Sequence, residues 1–428
     1  MDDIYLSPEF ENENDFRLLS IDKRIASAFT ESLERRKGVV MVLKGEPSLT
    51  AHTDSNSMEV RRVEYSNTLL LAKYADGAAG PQSPTTATPS SQQPTRSVSR
   101  GQERLTNGVV LATLHRIFET QLVPPKLNVY RALRHSFIGE AELAGHETGS
   151  AAPRVAPQSL HTFKTLVRRT QSSPLELAGA LKEMGALVVG GHLRLLEPPL
   201  QCRVLRAMVH AACRPAAAGA ACDWDSLCAS LAPATYPRLV VQAVGMVYRA
   251  RGASTARADA PPPCGLSELF DLPKVAVALA GYVFDTSAET TTQALADGAR
   301  YPSLCYDVFF ERWRTAVPAE VWQLLQMEPG ASPEASLELL NGNVIARRVR
   351  DSTLAGATLL WAPRDYLPSD LAARVRLLFE ANPDKWSSAA LKCYVDPLLS
   401  SEQVFANVIL RYAREYRIPG QPTTYASL

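Results

Sequence analysis

The stretch from His161 to Leu196, HTFKTLVRRTQSSPLELAGALKEMGALVVGGHLRLL, decides the fold class of this chain. Apolar side chains recur at helical spacing from Thr162 to Thr170, which predicts a first helix. A second helix is predicted to begin after Ser173, because serine is a favoured N-cap and Glu176 can complete a capping box. Two short helices therefore follow one another across a break in the sequence.

A glycine and a hairpin end this stretch. Gly185 can end the second helix in a left-handed conformation. Leu187–Val189 and His192–Leu196 then read as two strands joined by a glycine pair, Gly190-Gly191, which suits a tight turn. Two helices followed by a hairpin predict a winged helix. The alternative is an amphipathic helical pair with a hairpin and no functional meaning.

A winged helix usually has a third helix, and the sequence offers two candidates. One opens at Pro124-Pro125-Lys126 and the other runs from Leu200 to Ala212. Both carry apolar residues at helical spacing, so either could complete the unit.

Size and composition place the chain among multidomain globular proteins. Its 428 residues predict two to four domains. The net charge of +1 gives no global field, so contact with nucleic acid requires a local basic patch. Seven cysteines without a C-x-x-C motif predict reduced thiols in a cytosolic or nuclear protein. The acidic first residues do not resemble a secretory signal, and no apolar run is long enough to predict a membrane span.

The N-terminal part predicts a small β domain. A strand at Phe16–Ile21 and a helix at Asp22–Arg36 precede a series of β-prone segments. These segments are Val39–Leu43, Leu49–His52, Met58–Tyr65, Thr68–Tyr74, Val109–Leu111 and Leu114–Phe118. They predict a small antiparallel sheet or barrel with few residues to close it, and hence an open edge that a partner chain covers.

A long segment rich in Gly, Pro, Ser, Thr and Gln interrupts this domain. Residues 75–104 can bury almost nothing apolar, so disorder is predicted there. The segment reads as a lineage-specific insertion or, alternatively, as a phosphorylated regulatory loop.

The remaining two thirds of the chain are predicted to be mainly helical, with further hairpins. A short strand is predicted at Gly265–Leu272, and a long final helix at Val404–Tyr416. The winged-helix pattern returns in the last third, where it ends in a hairpin formed by Val344–Val349 and Thr358–Trp361. Four domains are predicted: a β-barrel at 1–122 with the insertion 75–104, a first winged helix at 123–215, a second, winged-helix-like domain at 216–300, and a third winged helix with a helical C-terminal extension at 301–428. The fold class is α+β, with a small barrel followed by tandem winged helices.

Basic residues near the second hairpin are candidates for contact with DNA. Arg347, Arg348 and Arg350 can reach successive phosphates from a wing, and Lys385 and Lys392 could extend the track. The alternative is a solvated basic edge that discourages strand pairing.

The first winged helix carries a moderate basic excess. Its candidate contact residues are Arg168, Arg169, Lys182 and Arg194. Such an excess suits an acidic patch on a protein as well as phosphate. A winged-helix transcription factor would need a strongly basic recognition helix, which this unit lacks.

Catalytic motifs are missing from the sequence. It contains no Walker loop, no G-x-S-x-G elbow, no H-E-x-x-H and no paired-carboxylate motif. We therefore expect a protein that is not an enzyme and has neither a cofactor nor a metal site.

Several stretches, taken in order, resemble one known family. They are LLSIDKRIASAFTESLERRKGVVMVLKG, YSNTLLLA, PPKLNVYRALR, EMGALVVGGHLRLLE, FERWRTAVP and KWSSAALKCYV. In these stretches the chain resembles the sister chromatid cohesion subunit ("defective in sister chromatid cohesion") of the alternative clamp loader related to replication factor C. The long insertion departs from the family pattern.

The resemblance implies a nuclear, non-ATPase accessory subunit. Its N-terminal barrel would join the large and small subunits of the loader, which loads or unloads the sliding clamp. Its winged helices would contact DNA without reading sequence, and would also contact the catalytic subunit of DNA polymerase epsilon. Arg168, Arg169, Lys182 and Arg194 are then the candidate polymerase contacts. The alternative is a winged-helix scaffold of another large nuclear complex, without contact to DNA.

Overall fold

The computed structural model describes residues 4–6, 17–23, 25–26, 29–30, 40–45, 48–74, 108–147, 159–213, 224–231, 236–250, 265–326, 333–348, 354, 356–400 and 403–428. The chain divides into two units, of which the first comprises Met1–Ala51 and Met58–Leu122 and the second comprises His52–Ser57 and Val123–Leu428. The predicted insertion at 75–104 lies outside the described residues.

The first unit is built on a six-stranded sheet. Its strands are β1 (Ile4–Leu6), β2 (Leu18–Ser20), β3 (Val42–Lys44), β4 (Thr50–His52), β5 (Ser57–Tyr74) and β6 (Gly108–Leu122). The order is β1-β6-β5-β4-β3, and β2 also pairs with β6. Helical residues at 23, 25, 26, 29 and 30 begin where the predicted helix begins, and Ile25 is buried with Met58.

The sheet differs from the predicted antiparallel barrel in two ways. Both β1 and β2 run parallel to β6, whereas β5 runs antiparallel to it. Within the described residues β3 ends the sheet without pairing to β1 or β2, so the sheet stays open. The edge of β6 that faces away from β5 is occupied by two short strands, β1 near the start of β6 and β2 near its end.

Pairs of predicted strands merge in this sheet. The two segments predicted between Met58 and Tyr74 are one strand, β5, and the two predicted between Val109 and Phe118 are both part of β6. The polar residues that were predicted to form a turn instead lie within β5. They form an irregularity between Glu64 and Leu69, where the register with β6 shifts. A β-bulge absorbs extra residues in this way without ending the strand.

The predicted helices and hairpin between Thr162 and Leu196 are present in the second unit. The elements up to residue 213 are α1 (Val129–Leu133), β7 (Phe137–Ile138), α2 (Glu140–Glu147), α3 (Phe163–Arg169), α4 (Pro174–Glu183), β8 (Leu187–Val189), β9 (His192–Leu196) and α5 (Pro198–Cys213). Ser173 and Glu176 form the expected capping box of α4. Gly185, Gly190 and Gly191 all have positive φ, as their turns require. Both candidate third helices exist, as α1 and α5.

The middle segment contains a helix where a strand was predicted. Its elements are α6 (Trp224–Leu231), α7 (Arg238–Tyr248), α8 (Leu266–Leu269) and α9 (Leu272–Thr286). The strand prediction at Gly265–Leu272 is wrong, because Phe270 N–H donates to the Leu266 carbonyl and closes one helical turn. Both α7 and α9 bury side chains along their whole length in the largest apolar core of the unit.

A four-stranded antiparallel sheet follows. It consists of β10 (Thr291–Ala294), β11 (Arg300–Cys305), β12 (Val344–Arg347) and β13 (Thr358–Trp361), in the order β10-β11-β13-β12. Between β11 and β12 lie α10 (Tyr306–Ala316), α11 (Ala319–Leu324) and α12 (Pro333–Glu338). The β12-β13 hairpin was predicted and is present, whereas the β10-β11 hairpin was not predicted. The predicted boundary between residues 300 and 301 falls inside β11.

The C-terminal segment ends in a hairpin rather than in a helix. Its elements are α13 (Leu371–Ala381), β14 (Trp386–Ser387), α14 (Ser388–Val395), α15 (Phe405–Ile409), β15 (Ala413–Tyr416) and β16 (Thr424–Ser427). The predicted helix at Val404–Tyr416 is therefore wrong beyond Ile409. Tyr412 and Tyr416 continue a helical spacing in sequence, but pairing of β15 with β16 across a turn at Gly420 (φ 78°) wins.

A buried arginine joins three elements around the first hairpin. Arg194 on β9 donates to both carboxylate oxygens of Glu142 on α2, at 2.9 and 3.1 Å. It also donates to the backbone carbonyls of Ser136 and Phe137, at 2.8 and 2.9 Å. Both charged side chains are almost fully buried. These bonds tie β9 to β7 and to α2.

Replacing Arg194 by leucine leaves the Glu142 carboxylate buried without its cation. We expect this change to lower the free energy of unfolding by about 3–5 kcal/mol. The control is Arg203→Leu, which breaks the exposed ion pair with Glu140 (3.0 Å) and should lower stability by at most about 1 kcal/mol. Urea denaturation followed by circular dichroism measures both. Equal losses in the two variants would contradict a structural role for Arg194.

Candidate interaction surfaces

Three of the four predicted protein-contact residues lie at helix ends on the surface. Arg168 and Arg169 are in the last turn of α3, and Lys182 is in the last turn of α4. All three side chains are exposed. Basic residues at this end of a helix interact favourably with its dipole, so the fold alone supplies one reason for their position.

Arg194, the fourth, does not lie with them. Its guanidinium is buried against Glu142 and two backbone carbonyls, and has no face left for a partner. We therefore leave Arg194 out of the contact surface.

The four predicted DNA-contact residues that the structure describes lie in two different parts of the second unit. Arg347 ends β12, and Arg348 follows it; both are exposed. Arg350 lies outside the described residues. Lys385 directly precedes β14, and Lys392 is on α14, where it faces Asp396 at 3.7 Å. The sequence order suggested one track, but the side chains are distributed over the β10–β13 sheet and the C-terminal sheet.

An exposed cation and an aromatic ring meet at the C-terminal sheet. The Lys385 ammonium lies 4.1 Å from the centre of the Tyr416 ring, a cation–π contact. Tyr416 and Arg414 alternate on β15 with Ala413 and Glu415, so both point to the exposed side of that strand. Both side chains are exposed, and β15 is an edge strand of this sheet. Lys385, Arg414 and Tyr416 are called the C-terminal basic face below.

Two further arginines flank the C-terminal basic face. Arg411 is exposed in the turn before β15, and Arg417 is exposed just after it, with Glu415 at 3.0 Å. Sequence reasoning missed Arg411 because it placed this residue in the helix predicted at Val404–Tyr416, and Arg417 follows directly after that predicted helix. Pro419-Gly420, a turn signal just beyond the predicted helix, could have revealed the hairpin.

The chemistry of this face suits a phosphate backbone with accessible bases. Ammonium and guanidinium groups neutralise phosphates and release their counterions. An exposed tyrosine ring gives a base a surface on which to stack, whatever its identity. The exposed residues of the short α15 helix are uncharged, so this helix adds no phosphate contact.

The open edge of the first unit presents apolar side chains to solvent. On β3, Val42 is 49% exposed and Leu43 is 61% exposed, and Val40 just before the strand is also exposed. Consecutive residues of a strand point to opposite faces, so both faces of the sheet lack cover at this edge. Edge strands of this kind are templates for pairing with another chain.

Nucleophile and metal chemistry find little support in the described parts of the chain. No group of three or more His, Cys, Asp or Glu side chains there could hold a metal ion. Burial raises the pKa of the Cys202 thiol to about 12, and also raises the pKa values of Cys213 and Cys228. These three thiols therefore stay protonated and unreactive at neutral pH. Among the helices described, none has both the length and the apolar character that crossing a membrane requires.

Comparison with known proteins gives one family. A family model described as "Sister chromatid cohesion protein Dcc1" matches residues 16–395. The match covers the first unit from residue 16 onward and the second unit up to the end of α14, so β1 and the C-terminal hairpin lie outside it. No curated protein matches the chain.

Proposed function

Because the chain belongs to the Dcc1 family of sister chromatid cohesion proteins, we propose that it is an accessory subunit of an alternative clamp loader related to replication factor C. The family implies a role in sister chromatid cohesion and suggests that the protein works within a complex. In the proposed assembly the subunit is non-catalytic, needs no cofactor and acts in the nucleus. It helps to load or unload the sliding clamp, which it touches only through the rest of the loader.

The observation that carries the proposal is the open edge of the first unit. The sheet ends at β3 with apolar residues exposed on both faces. Exposed apolar edge strands favour aggregation unless another chain covers them. The proposed cover is the large and small subunits of the loader, whose strands would extend the open sheet toward a barrel.

We also propose that the second unit contains three winged helices. Support comes from a pairing that recurs in its three sheets. In each sheet a strand that precedes the helices pairs with the last strand of the hairpin that follows them. The pairing of β7 with β9 is parallel, whereas the pairings of β11 with β13 and of β14 with β16 are antiparallel. The proposed domains are the β domain at 1–122 and winged helices at 123–213, 272–361 and 371–428, with the helices at 224–269 packed between the first two.

The C-terminal basic face is the proposed site for DNA, without readout of sequence. Lys385 and Arg414 supply charge and Tyr416 supplies a stacking surface. Arg347 and Arg348 on the neighbouring sheet would extend the contact, as predicted from sequence. The exposed ends of α3 and α4 are the proposed contact for the catalytic subunit of DNA polymerase epsilon.

A scaffold without DNA contact is the second candidate function. It is favoured by the ion pairs Lys392–Asp396 and Arg417–Glu415, which neutralise part of the positive charge of the C-terminal segment. The two candidates differ in whether the intact chain binds DNA in a salt-dependent manner.

The edge strand gives the first test. Leu43→Glu places a charge on an exposed position, so we expect the variant to fold as the wild type does but to lose assembly with the large and small loader subunits. Leu70→Glu is the control, because Leu70 is also exposed but lies on the interior strand β5. Co-purification with the two subunits is the measurement. Unchanged assembly of the Leu43→Glu variant would remove β3 from the interface.

The C-terminal basic face gives the second test. Replacing both Lys385 and Arg414 by alanine removes two cations, so binding of the full chain to DNA should weaken about equally for any sequence. The slope of log affinity against log salt concentration should become shallower by roughly 0.7–0.9 for each phosphate that the variant no longer neutralises. Fluorescence anisotropy with labelled oligonucleotides measures this slope. Arg203→Ala is the control, and absence of salt-dependent binding by the wild type would favour the scaffold.

The exposed helix ends give the third test. Reversing Arg168 and Arg169 to glutamate should weaken association with DNA polymerase epsilon by at least about tenfold and leave the loader assembly intact. Lys164→Glu, on the same helix but in its first turn, is the control. Pull-down of the polymerase by the reconstituted loader is the measurement. If both associations fail, the variant has misfolded; if the polymerase still binds, α3 is not its contact.

A further inference from the structure

A groove with a volume of about 450 Å³ runs along α13 in the C-terminal segment. The residues of α13 that line it recur every three or four positions, from Ala372 to Glu380, so they form one stripe of the helix. The rest of the wall consists of Arg411 and Tyr412, in the turn before β15, and the end of β16. The stripe is roughly 12 Å long, a distance that about four residues of an extended peptide span.

The floor of this groove is apolar. Val375 and Phe379 on α13 are buried, and both belong to the apolar core of the C-terminal segment. Tyr412 is half-buried and packs against the same core. These side chains are held in place by the fold itself, so an apolar side chain that enters the groove meets a preformed surface.

The acidic residue of the groove is engaged outside it. Arg376 and Glu380 are four residues apart on α13, a spacing at which opposite charges commonly pair. They do not pair here, because the two oxygens of the Glu380 carboxylate accept the backbone N–H of Ala296, at 3.0 and 3.1 Å. Within the described part of the chain, neither Arg376 nor Arg411 makes a side-chain hydrogen bond or an ion pair. The groove therefore presents two exposed guanidinium groups beside an apolar floor.

We propose that this groove binds a short, extended acidic segment of a partner protein. A carboxylate of that segment pairs with Arg376 and Arg411, and a neighbouring apolar side chain packs on Phe379 and Tyr412. A guanidinium group can donate two parallel hydrogen bonds to one carboxylate, which fixes the direction of the ligand as well as its charge.

A protein segment suits the groove better than a nucleic acid does. The phosphate backbone of DNA is a row of anions, and the negative charge of Glu380 at the rim opposes such a row, whereas one carboxylate can pair with the arginines alone. A phosphate backbone also offers no apolar group to the floor. None of the residues of the C-terminal basic face lines the groove, so the proposal goes beyond the DNA contact described above.

The first experiment measures binding of a fluorescein-labelled peptide, GSDDLLSG, to the full chain by fluorescence anisotropy. Its four central residues match the length of the groove. Side chains alternate along an extended chain, so each face of the peptide carries one aspartate and one leucine. We expect saturable binding with a dissociation constant on the order of 0.1 mM, because a short flexible peptide loses conformational freedom when it binds.

Two altered peptides separate the contributions of charge and of apolar contact. GSNNLLSG should bind at least about tenfold more weakly, because the charge-assisted hydrogen bonds are lost. GSDDSSSG should also bind more weakly, because nothing apolar reaches the floor. Absence of saturable binding by GSDDLLSG, or equal binding by either altered peptide, would overturn the proposal.

Variants of the protein locate the site. Arg376→Ala should weaken binding of GSDDLLSG at least about tenfold, and it should fold normally because alanine is favoured in helices and the position is exposed. Arg314→Ala, which removes an exposed arginine from α10 outside the groove, is the matched control and should bind as the wild type does. Changing both Arg376 and Arg411 to glutamate should invert the preference, so that GSKKLLSG binds more tightly than GSDDLLSG. Wild-type affinity of Arg376→Ala, or an unchanged preference of the double variant, would contradict the assignment.

Competition with DNA separates this groove from the C-terminal basic face. An unlabelled oligonucleotide should not displace GSDDLLSG, and Arg376→Ala should bind the oligonucleotide with the affinity and salt dependence of the wild type. Replacing both Lys385 and Arg414 by alanine should leave the binding of the peptide unchanged. If the oligonucleotide displaces the peptide and Arg376→Ala loses affinity for DNA, the groove belongs to the DNA site and the proposed protein ligand is wrong.

Discussion

The hydrogen bonds of Arg194 hold β7, α2 and the β8-β9 hairpin together in the first part of the second unit. One guanidinium binds the Glu142 carboxylate and two carbonyls next to β7, and so fixes the outer strand and α2 against the hairpin. Arg374 on α13 has a comparable role in the C-terminal segment. It donates to the carbonyls of Pro368, Leu367 and Tyr394, and burial lowers its pKa to about 10. Both arginines donate to backbone carbonyls of neighbouring segments, at β7 for Arg194 and in the loop before α13 and the last turn of α14 for Arg374.

Small sheets of this kind bury one face and leave edges open. The exposed surfaces follow from that constraint, because β3 and β15 are both edge strands. The two edges differ in chemistry. Apolar residues on β3 suit permanent cover by another chain, whereas Arg414 and Tyr416 on β15 suit reversible contact with a charged polymer. One architecture thus supplies both kinds of surface.

Local signals predicted the parts of the fold that depend on a few neighbouring residues. Ser173 and Glu176 at the start of α4, and the glycines of the β8-β9 turn, have the conformations that their sequence requires. The β10-β11 hairpin carried such a signal too, in Asp297-Gly298, where Gly298 has a φ of 73°. Elements decided by distant pairing could not be predicted in this way. A helical spacing up to Tyr416 was overruled by pairing with β16, and the closure of the N-terminal sheet depends on which strands share β6.

The same limit applies to charged residues, whose roles depend on what the fold brings to them. Arg194 and Arg168 are indistinguishable in sequence as members of one basic set. The fold surrounds Arg194 with four acceptor oxygens and leaves Arg168 exposed. A buried charge with all its partners is explained by the fold it stabilises.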